Sequence, residues 1–137
     1  MQNGNEKVSI KQYRAYLVFM LIACGGAFIW QFFLSDFGGQ WTSWPYSAGW
    51  QREIALWNIG IISAIIIALM KGNIAYMKIL AFQSTVLCLV LGASHLISLL
   101  QHFSFSYLFH ILGIFEVLLV GGGWGTALTI KALRSGK

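Results

Sequence analysis

Apolar residues gather in four long blocks, roughly 13–34, 52–70, 76–100 and 103–130, separated by short polar segments. Each block covers the ~20 residues that a helix needs to cross a ~30 Å hydrocarbon layer. The pattern predicts an all-α polytopic membrane protein, an antiparallel four-helix transmembrane bundle, with 1–137 forming a single membrane domain. The links at 71–75 and 101–103 are short enough to force antiparallel neighbours. Residues 1–12 read as a short polar tail, and 35–51 as an external loop.

Polar positions inside these blocks carry the next layer of information. In the third block Ser84, Cys88, Leu91, His95, Ser98 and His102 follow one another at spacings of three and four, which keeps them on one helical face. A stripe of that polarity is expected to face the bundle interior. The second block opens with Arg52 and Glu53, adds Asn58, and carries Gly60, Ala64 and Ala68 at the four-residue spacing that lets helices approach closely. Glu53, Trp57, Gly60 and Ala64 form one stripe, and Phe109, Gly113, Glu116 and Val120 another. Both are expected to point toward closely packed neighbours.

Counting along the blocks places Gln31, Arg52, Glu53, Asn58, His95, His102, His110 and Glu116 in the half of the bundle next to the 35–51 loop. His95 and His110 fall at similar depth on consecutive helices, and Glu116 lies about 120° around an ideal α-helix from His110. The opposite half reads as almost purely apolar. Phe37, Trp41, Trp44, Tyr46 and Trp50 in the loop suit an aromatic belt along the membrane surface.

Composition closes off other classes. With 58% hydrophobic and 9% charged residues and a mean hydropathy of +0.71, the chain is too apolar for an ordinary soluble domain. The net charge of +5 comes from Lys7, Lys11 and Arg14, then Lys71 and Lys78, then Lys131, Arg134 and Lys137, with Arg52 alone on the other side. That distribution is a topology signal rather than a nucleic-acid surface. It places both termini in the cytoplasm, in an inner membrane, with the lipid bilayer as partner and some attraction to anionic lipid.

Two cysteines, Cys24 and Cys88, lie near mid-membrane and read as small packing residues. Leu21-Ile22-Ala23-Cys24 has the form of a lipobox, but the residues that follow stay apolar where a mature lipoprotein turns polar.

Ionisable groups inside a membrane are costly and call for partners or a role. Three functions fit the cluster. A ligand-binding or proton-relaying site would use Glu116, His95 and Glu53, because desolvation and neutral-range titration suit proton exchange. A structural or interaction subunit would use the same groups for helix pairing, alone, as a homo-oligomer or within a membrane complex. A haem or metal site would draw on His95 and His110. The chain lacks His-x-x-x-His, Glu-x-x-His and Cys-x-x-Cys-His, so no cofactor is predicted, and no nucleophile–base pairing supports an enzyme.

The run Trp50-Gln51-Arg52-Glu53-Ile54-Ala55-Leu56-Trp57-Asn58-Ile59-Gly60, followed by Gly92-Ala93-Ser94-His95 and by Glu116, resembles a family of small bacterial four-helix membrane proteins with no established activity. The resemblance spans about 49–125. It implies the four-span topology and singles out Arg52, Glu53, Asn58 and His95.

Overall fold

The computed structural model describes residues 3–135, with side chains from residue 10 to residue 134. Helix α1 runs Asn3–Phe33, the short α2 Ser35–Gly39, α3 Ala48–Lys71, α4 Ile74–Gln101 and the short α5 Leu108–Leu112. A π-helical segment, Gly113–Gly123, then leads into α6, Trp124–Ser135. Among the described residues there is no strand. Four stretches are long and apolar enough to cross a membrane: Ile10–Phe33, Ala48–Lys71, Ile74–Gln101 and Leu108–Arg134. α1 begins ten residues before the expected apolar block, inside the presumed tail, because helix formation continues past the point where lipid would end. The fourth crossing begins at Leu108 rather than at 103.

The turn between α3 and α4 is built from two residues. Gly72 takes the left-handed conformation (φ 62°) and returns its N–H to Ala68 O at 3.1 Å. Asn73 then caps α4, its side-chain oxygen accepting from the N–H groups of Ala75 and Tyr76 at 2.9 and 3.4 Å. With no slack in this link, α3 and α4 must run antiparallel.

α3 packs chiefly on α1 and the fourth crossing chiefly on α4, while α1 and α4 join the two pairs. The tightest core lies in the half nearest the termini, where Tyr16, Leu17, Ile65 and Met77 are fully buried. Around it, large apolar side chains such as Ile22, Met70 and Leu133 point outward, as they do where the solvent is lipid. Lys11, Arg14, Lys71, Lys78, Lys131 and Arg134 are all exposed at the terminal end.

The π segment explains why a 3.6-residue reading of the fourth block misplaces its faces. On an α-helix Gly113 and Gly122 would lie about 180° apart. The wider i→i+5 turn brings Gly113, Leu118 and the Gly121-Gly122 pair round to α4. A Cβ on Gly113 would strike the His95 ring, and one on Gly122 would lie 2.9 Å from Leu89 Cδ2. Glu116 and Val120, expected on the packed stripe with Gly113, are instead exposed.

The terminal half is also less purely apolar than its sequence suggests. Tyr16 is fully buried; its hydroxyl donates to Gly121 O at 3.0 Å and lies 3.4 Å from Thr85 Oγ1, which bonds Ala81 O at 2.6 Å. Cys24 and Cys88 are buried free thiols, and Cys88 Sγ lies 3.8 Å from Met20 Sδ.

Candidate functional site

At the loop end, His95 of α4 and His110 of α5 face each other with their Nδ1 atoms 3.1 Å apart. His110 is fully buried and His95 half-buried. The absent side chain of Gly113 makes room for the His95 ring, so the π segment and the histidine pair depend on one another.

The loop does more than line the membrane surface. Phe109 donates its N–H to Trp41 O at 3.2 Å, which pins the loop to the start of the fourth crossing. The residues that follow then turn inward. Ser43 donates its backbone N–H to His110 Nε2 at 3.1 Å, with Ser43 Oγ at 2.8 Å and Thr42 Oγ1 at 3.2 Å from the same nitrogen. The Trp44 ring packs against both histidines, tilted over His95 at 4.6 Å and edge-on to His110 at 4.9 Å between centroids, while its Nε1–H donates to Ser98 Oγ at 2.7 Å. From α1, Trp30 stacks on Phe109 at 4.6 Å and closes the side of the site. Phe37, Tyr46 and Trp50 stay exposed, as a surface belt requires, but Trp44 is part of the site.

These contacts assign the protons. A backbone N–H can only donate, so His110 Nε2 is an acceptor and the ring proton sits on Nδ1. That proton points at His95 Nδ1, which must accept it, leaving the His95 proton on Nε2. His95 Nε2 makes no hydrogen bond among the described residues. It is also not one of the enclosed unpartnered polar atoms, which are Trp41 Nε1, Gln51 Oε1 and Ser84 Oγ. The cluster therefore has one open nitrogen.

The remaining predicted residues are arranged differently. Gln31 and Asn58 bond each other at 3.2 Å, tying α1 to α3 away from the histidines. Arg52, Glu53, His102 and Glu116 are exposed, and their side chains make no hydrogen bond or ion pair among the described residues. The expectation that Glu53, Trp57 and Gly60 face a packed neighbour does not hold within this chain: Trp57 is 72% exposed, and a Cβ on Gly60 would meet open space. The reason is that α3 packs essentially on one side. His95 and His110 are not poised as axial ligands of a haem in this arrangement, since rings bonded directly at 3.1 Å leave no gap for an iron and the loop occupies the outer nitrogen of His110. Among the described residues no three His, Cys, Asp or Glu side chains converge.

Thr42, Ser43 and Trp44 belong to the site but lie outside the blocks and carry no signal in their periodicity, whereas Gly113, expected on a packed stripe, does meet a neighbour, the His95 ring. The available hint is two adjacent hydroxyl residues set between Trp41 and Trp44 in an otherwise membrane-facing loop. No family model matches the chain, and neither the curated proteins nor the solved structures supply a match.

Proposed function

We propose that this is a proton-linked inner-membrane protein, with cytoplasmic termini, whose outer half takes up protons on the His95–His110 pair or binds a hydrogen-bond-accepting ligand at His95 Nε2–H. The observation that carries this reading is the fixed donor chain from Ser43 N–H through His110 to His95. A merely structural pair has no need of an open nitrogen at one end and a loop clasp at the other. Polar pairing across membrane helices contributes only ~0.6 kcal/mol on average, which is little return for burying two imidazoles. The neutral pair already holds one proton between the two Nδ1 atoms. Taking up another breaks either that bond or the Ser43 clasp, so proton uptake is linked to the seating of the loop.

The same geometry suits a membrane-dissolved amphiphile whose head accepts a hydrogen bond from His95 Nε2–H. The lysine and arginine distribution supports the orientation, with the histidine site on the outer side.

Trp44 is the reporter. A charged imidazole quenches an indole lying against it, so acidifying liposome-reconstituted protein lowers the Trp44 contribution to emission. This titration disappears when His95 and His110 are both replaced by alanine, and in Trp44→Phe, while helical content is retained. Equal titration in wild type and the doubly substituted protein sinks the reading.

A further inference from the structure

We infer that the outward face of α3 is the interface of a parallel homodimer, held by reciprocal Arg52–Glu53 ion pairs. At about 100° per residue, Ala55, Ile65 and Ala68 lie toward the chain and are buried. On the opposite side lie Leu56, Gly60, Ser63 and Ile67, all exposed. Arg52 and Glu53 flank this outward line, about 50° to either side.

Two copies in one bilayer share an orientation, so a two-fold axis relating them runs along the membrane normal and equal residues meet at equal depth. On each edge of such an interface, a residue from the left flank of one helix meets one from the right flank of the other. Glu53 of each copy therefore meets Arg52 of its mate, twice over, as oppositely charged flanking positions do in a parallel coiled coil. Neither side chain has a hydrogen bond or ion pair within the described residues, and both sit only a turn inside a membrane-crossing helix. There an unpaired charge is costly.

The rest of the face fits close approach. A Cβ on Gly60 would meet nothing within 4 Å, and one turn on, Ser63 has its hydroxyl satisfied by Ile59 O at 2.8 Å, which leaves a small surface with no stray donor. The Gln31–Asn58 bond holds α3 against α1 from the other side, so the outward face keeps its orientation.

The experiment measures dimer mass and dissociation in lipid nanodiscs or mild detergent for wild type, Arg52→Glu, Glu53→Arg and Gly60→Leu. Wild type is expected to be dimeric. Each charge variant places like charges together and weakens the dimer at least about tenfold. An equimolar mixture of Arg52→Glu and Glu53→Arg recovers a heterodimer, because every flanking pair is then again of opposite sign. Gly60→Leu keeps the charges but separates the helices and also weakens association. Unchanged circular dichroism shows that the variants fold. A monomeric wild type, charge variants that dimerise normally, a mixture that does not recover, or an indifferent Gly60→Leu would each overturn the inference.

Discussion

The two ends of this bundle solve the same problem in opposite ways. Near the termini, the buried Tyr16 and Thr85 are satisfied by helix backbone, Tyr16 donating to Gly121 O and Thr85 to Ala81 O, while Ser84 Oγ is left unpartnered. Near the loop, the histidines are satisfied by each other and by Ser43, a residue outside any helix. Helical carbonyls cannot leave without unwinding a crossing, whereas a loop can unseat while the crossings stay intact. The terminal half is therefore built to be permanent, and the loop half can change state.

The largest way to break this contrast is Gly125→Val. A Cβ there would collide with Thr85 Oγ1 and the Tyr16 hydroxyl, so overpacking should destabilise the terminal half by about 3 kcal/mol. The expected result is a lower unfolding midpoint with loss of protection at both ends, since the loop half has no core of its own.

His110→Ala should cost less, about 2 kcal/mol, because it strips a buried acceptor from Ser43. Its effect is expected to stay local. Hydrogen exchange should accelerate across residues 40–47 while amides of residues 77–88 keep wild-type protection, and a uniform acceleration would erase the distinction between the halves.

Ser84→Ala should be smallest. Ser84 Oγ is buried without a partner, so removing it is expected to leave the unfolding midpoint unchanged or slightly raised. A loss above about 1 kcal/mol would mean that this hydroxyl is satisfied after all.

The inward facing of Ser84, Cys88, His95 and Ser98 on α4 could be read from spacing, because α4 is a regular helix, but Leu91 and His102, expected on the same stripe, are exposed. The same arithmetic failed on the fourth crossing, where the π turn changes the period and sends Glu116 outward. It also failed on α3, where small residues on the Gly60 side suggested a neighbour that this chain does not supply. Periodicity reports that a face is unlike the others, and only the packing partner says why.

By itself the sequence determined the solvent and the count: four apolar segments, their antiparallel order, and the side on which the lysines and arginines collect. Those properties follow from hydropathy and length, which are local to each segment. Tertiary structure alone decided that the fourth crossing widens into a π-helix, that Trp44 and Ser43 fold inward, and that His110 faces His95. These depend on contacts such as Ser43 with His110, 67 residues apart in the chain, where no local preference can specify which donor meets which acceptor.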